Sequence, residues 1–202
     1  MTETVPVDRT VRRRRLKALL ASGLVLGAGA AVTLAAWNDS EFVTGTFSAG
    51  TFNLVGSTDG TSYADHPTAG ARATAAFTVN SAALTPGDVT AAPFAVRLAA
   101  GTTNDAMVTV SAAGTSGTVS ELSYQLLQTS SFGCTATTTG TTLVPAGQAL
   151  GTAPGGITFA LTKGAGAAAG APVYLCFKVT AGANLVQGQT GGATWQFQAA
   201  SQ

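Results

Sequence analysis

Val173-Tyr174-Leu175-Cys176-Phe177-Lys178-Val179 sets the fold class of this chain. In an extended backbone, side chains alternate between two faces. Val173, Leu175, Phe177 and Val179 then share one face, with Tyr174 and Cys176 on the other, which is the pattern of a core strand. The same period of two recurs outward from this stretch. Upstream lie Phe52 with Leu54, then Ala73, Ala75, Phe77 and Val79, then Phe94, Val96 and Leu98. Val108 with Val110, Leu122 with Tyr124 and Leu126, and Ile157 with Phe159 and Leu161 continue the series. Downstream, Trp195 and Phe197 close it. No helical period is sustained past the first forty or so residues. Roughly eight or nine short strands at this spacing predict an all-β protein, a two-sheet β-sandwich of jelly-roll type.

The punctuation between these runs agrees with that reading. Thr85-Pro86-Gly87-Asp88 places proline at the second and glycine at the third position of a turn, as type II geometry requires. Gly140, Pro145-Ala146-Gly147 and Pro154-Gly155-Gly156 mark a long connection between Cys134 and Ile157. Gly164 to Gly170 reads as a low-complexity loop, and Gly182, Gly188 and Gly191-Gly192 loosen the approach to the last strand. No internal repeat is present.

The 202 residues leave room for a leader and one domain with a sizeable core. The formal charge of +1 hides an asymmetry, because Arg9, Arg12 to Arg15 and Lys17 all fall in the leader. Beyond Ala35 only Arg72, Arg97, Lys163 and Lys178 stand against seven acids, a mature charge of −3. Such a chain has no basic patch to neutralise phosphates, so no nucleic-acid partner is expected. Charged residues make up 9% of the chain, far below the usual quarter, so threonine, serine, glutamine and asparagine must supply solubility. That composition suits an extracellular β-protein, while 46% apolar residues in regular alternation exclude disorder. Cys134 and Cys176 are the only cysteines; in an exported chain they read as one disulfide, against the alternative of two buried thiols. Closing so long a loop is worth about 4 kcal/mol in the chain-entropy model.

Arg12-Arg13-Arg14-Arg15-Leu16-Lys17 runs into the apolar segment Ala18 to Ala36, followed by Trp37-Asn38-Asp39. A positive region, an apolar region and small residues at Thr33 and Ala35 form an export signal cut between Ala35 and Ala36. Residues 1–35 are therefore expected to be a signal peptide, and 36–202 a single β-sandwich domain. Contact with a membrane would come only through the leader, before cleavage. The twin-arginine pattern is a weak match, because Arg15 stands where that motif wants an apolar residue. The sequon Asn38-Asp39-Ser40 carries little weight on its own.

Ala36-Trp37-Asn38-Asp39 behind the leader and Phe47-Ser48-Ala49-Gly50-Thr51-Phe52-Asn53-Leu54 resemble the start of mature TasA/camelysin family proteins. Leu84-Thr85-Pro86-Gly87-Asp88 is similar to a turn of that family, and Trp195-Gln196-Phe197-Gln198-Ala199 to its closing strand. The likeness covers both ends and one internal turn, roughly a third of the chain. It implies a jelly-roll subunit processed by a SipW-like signal peptidase and assembled into fibres at the cell surface or in a biofilm matrix. It further implies that the segment behind the cut inserts as a strand into a related or identical subunit. Here that donor would be about Ala36 to Phe47, with Trp37, Phe42 and Phe47 as anchors; the alternative is a first strand that pairs within its own subunit. The chain departs from the fibre-forming members in its shorter length, its cysteine pair and its low charge.

The family also contains proteins described as metalloproteases. A zinc protease needs about three protein ligands and a base, whereas His66 is the sole histidine here. Neither a nucleophile elbow nor a paired set of carboxylates stands out among seven scattered acids. Neither catalysis nor a cofactor is expected. The remaining rival is a monomeric adhesion module using Tyr63, Tyr124, Tyr174, Trp37 or Trp195, which would keep an exposed aromatic patch.

Overall fold

The central strand of the fold is the one the sequence marks most clearly, β7 (Val173–Ala181). It pairs antiparallel with β2 (Val89–Leu98) on one side and β4 (Leu122–Thr129) on the other. β1 (Leu54–Ser57) adds to β2, and β5 (Thr141–Ala149) adds to β4, giving a five-stranded sheet of order β1-β2-β7-β4-β5. The second sheet has three strands, in the order β6 (Thr158–Leu161), β3 (Ala106–Gly117), β8 (Gly191–Ser201). The protein is thus an all-β, two-sheet antiparallel sandwich. Its eight strands divide five and three rather than evenly.

The computed structural model describes residues 9–33, 40–78 and 81–202. They fall into two units, Met1–Phe47 and Ser48–Gln202. The first contains helix α1 (Arg9–Thr33), which starts within the arginine-rich stretch. Among the described residues, no helix is long and apolar enough to cross a membrane. Residues 40–47 form neither helix nor strand, and Phe42, Val43 and Phe47 are 93%, 97% and 98% exposed. The expected cleavage residues Ala35 and Ala36, and the anchor Trp37, lie outside the described residues.

The second unit is the sandwich. Its core follows the alternation in the sequence: Val108 and Val110 from β3, Tyr124 and Leu126 from β4, Leu175, Phe177 and Val179 from β7. Trp195 and Phe197 of β8 pack on it, with the Trp195 ring 4.4 Å from Phe177 and 5.4 Å from Tyr124. Tyr124 is buried, and its hydroxyl donates to the Thr152 carbonyl at 2.8 Å, which satisfies the one polar atom that burial would otherwise strand. Burial also pushes the Tyr124 phenol above its ordinary pKa.

β2 departs from simple alternation, since Ala91, Ala92, Ala95 and Val96 are all buried. The reason is a second layer on the outer face of the five-stranded sheet. There Cys134 and Cys176 form the disulfide, Cα to Cα 5.2 Å, and pack with Ala91 and Leu127 in a small separate cluster. The bridge fastens the connection after β4 onto the middle strand.

Two expectations need correction. Ala73 to Val79 does not form the second strand: through Thr78 the chain is outside any ladder, and Val79 lies outside the described residues. Ala73, Ala75 and Phe77 are half-buried and their neighbours exposed, so the period of two survives without pairing. Alanines cover too little apolar area to hold a strand in place by themselves. Conversely, the supposed loop between Cys134 and Ile157 contains β5. Pro145 is tolerated there because β5 is an edge strand whose pairing to β4 shifts register twice.

The disulfide closes a separation of 42 residues, so replacing both cysteines with alanine should cost about 2–5 kcal/mol in urea unfolding at unchanged strand content. A loss below about 1 kcal/mol would show that the outer layer holds without it.

Candidate functional site

The site is an open edge with a hollow beside it. β8 is paired to β3 from Ala106↔Ser201 to Gly117↔Gly191, with one irregularity between Ala112 and Gly114. On its other side no strand follows, and no backbone hydrogen bond joins Gly191–Ser201 to any other segment among the described residues. That edge carries no proline and no charged side chain over 11 residues. The other three edges are blunted in ways sheets commonly use. β6 and β1 are four residues each, Gly56 of β1 is capped by a bridge to Ala64, and β5 is broken by Pro145 and its register shifts.

A cavity of about 890 Å³ adjoins the open edge. Its floor is the inner face of the longer sheet, with Phe94 and Val96 from β2 and Phe177 and Val179 from β7. One wall is β8 itself, with Trp195 and Phe197; the facing wall is Ala73, Ala75 and Phe77 from the unpaired segment. The aromatic rings form a connected set, Phe94 to Phe197 at 5.6 Å and Phe197 to Phe177 at 6.3 Å. Phe94 reaches this position only because β1 carries Gly56, where a Cβ would come within 2.6 Å of the Phe94 ring. Chemically the hollow offers aromatic and aliphatic contact, one row of backbone donors and acceptors, and polar side chains that include Asp65, His66 and Arg72.

Two loops of the sandwich are held by local hydrogen bonding. In the loop after β1, Ser62 and Thr61 donate backbone N–H groups to Asp59 at 2.7 Å each, and the Ser57 hydroxyl donates at 2.9 Å. These bonds hold the Asp59 carboxyl well below the usual carboxylate range. The Arg97 guanidinium lies 3.8 Å above the Tyr63 ring, which ties the same loop to β2. In the turn before β2, the Thr85 N–H and hydroxyl both donate to Asp88 at 2.8 Å and lower its pKa. Gly87 has φ +89°, and Asp88 N–H donates to Thr85 O at 3.0 Å, as the expected type II turn requires.

Of the expected anchors, Phe42 and Phe47 are almost fully exposed, as is Val43, which sequence reasoning did not single out. In a strand Val43 and Phe47 fall on one face, with Phe42 on the other. Tyr63 and Tyr174, candidates for a binding surface, are half-buried, Tyr63 beneath Arg97 and Tyr174 edge-on to Phe132 at 6.1 Å. Tyr124 is buried and Trp195 faces the hollow. His66 stands at the rim, and among the described residues no three potential metal-ligating side chains cluster. The cue to the open edge was visible only in the absence of charge and proline between Gly191 and Ser201. No protein-family model matches the chain, and no curated protein matches its sequence.

Asp59 and Asp88 have folded-state pKa values depressed below about 4, the ordinary unfolded value. Their stabilisation is therefore present above that pH and lost as pH falls through the folded values. The double variant Asp59→Asn/Asp88→Asn should melt lower than the parent at pH 7 and show a flatter decline in Tm between pH 4 and pH 2. An acid limb as steep as the parent's would remove these carboxylates from the account.

Proposed function

We propose that the chain is an exported structural subunit of the cell surface or extracellular matrix. It associates with a second copy, or with a related subunit, by donating the segment Ala36 to Phe47 into the hollow beside β8. The observation that carries this reading is an uncharged, 11-residue edge strand, unpaired on the side away from β3, beside a cavity of about 890 Å³ whose lining includes Phe94, Trp195 and Phe197. An edge of this kind accepts an added strand through main-chain hydrogen bonds, with alternate side chains filling pockets. The chain also contains a matching occupant, since Phe42, Val43 and Phe47 are almost fully exposed in a segment with no secondary structure.

The magnitudes show where the balance is decided. Burying Val43 and Phe47 is worth about 1.5–3 kcal/mol each. Ladder bonds add about 0.5–1.5 kcal/mol apiece, against about 1–2 kcal/mol for fixing each residue's backbone. The side chains thus decide the balance, and truncating them should matter more than altering the polar residues between them.

The TasA/camelysin resemblance supports the same architecture, with cleavage before Ala36 by a SipW-like peptidase freeing the donor. No catalytic step enters this reading. Negative-stain electron microscopy of concentrated protein beginning at Ala36 should show fibres or ordered oligomers. Deleting residues 36–47 should abolish them, and Phe47→Asp should reduce them strongly. Monodisperse particles under all conditions would overturn self-assembly and favour the monomeric adhesion module.

A further inference from the structure

We infer that Arg72–Thr78 is a built-in competitor for the same slot, a weak strand that closes onto β8 in the single subunit and must yield before a donor enters. This rests on the reading of the β8 edge as a strand acceptor. Three observations carry it. First, Ala73, Ala75 and Phe77 are half-buried with exposed residues between them, a strand's alternation in a segment that has no ladder. Second, those three side chains line the cavity together with Trp195 and Phe197, so the segment and β8 face each other across it. Third, the ends of the segment are tethered so that it runs opposite to β8. Thr78 is bonded through N–H and hydroxyl to Ala91 O, at the end where β2 starts. Arg72 follows the short 3₁₀ turn Ala69–Ala71, capped by Thr68, and already has extended backbone, φ −62° and ψ 147°. β8 starts beside Thr118 and Val119, at the same end as Thr78, and finishes beside Asp105. Closure would therefore make an antiparallel pair, the favoured arrangement between neighbouring strands.

The side chains explain why the competitor is weak. Two alanines and one phenylalanine under-fill a slot of about 890 Å³, and lining left without partner atoms forfeits contact energy. A donor carrying Val43 and Phe47 fills more of it. Exchange of one strand for the other then runs toward the donor, while the free subunit keeps its edge covered against promiscuous pairing. Competition lowers apparent donor affinity by the fraction of open acceptor, so disabling the competitor should raise it.

The test uses a fluorescein-labelled peptide of residues 36–47, titrated against the full-length chain by fluorescence polarisation. Ala75→Pro removes a donor and blocks strand pairing in the segment without touching an existing ladder bond. It should tighten peptide binding by roughly tenfold. Ala73→Gly/Ala75→Gly weakens strand pairing by a different route and should move affinity in the same direction by a smaller factor. Equal affinity across parent and both variants would overturn the competitor while leaving the acceptor intact. Absence of binding to every form, with the variants folded by circular dichroism, would overturn the acceptor reading and the competitor with it.

Discussion

Five strands facing three leave a hollow of about 890 Å³ beside β8, and the rest of the molecule is arranged around that mismatch. β7 and β2 supply Phe177, Val179, Phe94 and Val96 to the inner face, and β8 covers part of it with Trp195 and Phe197. Beyond β8 the cover stops, at a backbone edge whose hydrogen bonds have no partner among the described residues. An unpaired strand edge beside a partly apolar hollow is a liability in water, and one added strand would pair the edge and fill the hollow. The contrast with the blunted edges at β1, β5 and β6 makes the open edge specific to one place.

The outer face of the longer sheet is handled in the opposite way. There the connection after β4 folds down over Ala91 and Leu127 and is fastened by Cys134–Cys176. A sandwich with only four cationic residues beyond Ala35 has few ion pairs to draw on, so covalent closure and buried contacts carry its stability. The outer face of the longer sheet is fastened by the disulfide, and the smaller sheet is left open along a single strand. This division of labour is what the proposed strand exchange requires.

How much of this was legible in the sequence depended on which physical signal each residue sends. β7, β4 and the inward residues of β3 were readable because large apolar side chains alternate there, and burial selects that pattern directly. The disulfide was readable because a chain with only two cysteines and one histidine has few other uses for the pair. Ala73 to Phe77 misled, because alanine alternation reports a period but not a partner, and pairing is a tertiary property. β5 was hidden by Pro145 and Gly147, residues that break central strands but sit comfortably on an edge with bulges. The open side of β8 left only a faint trace in the strand, its lack of charge and proline, since which neighbours a strand lacks is decided by the path of the whole chain.

The most direct measurement is amide hydrogen exchange across Gly191–Ser201 at dilute and at high concentration of the protein beginning at Ala36. If a neighbouring copy pairs with β8, exchange in this strand slows as concentration rises, and the slowing disappears when residues 36–47 are removed. Exchange in β8 that is the same at every concentration would contradict the claim that this edge is where the molecule meets its partner.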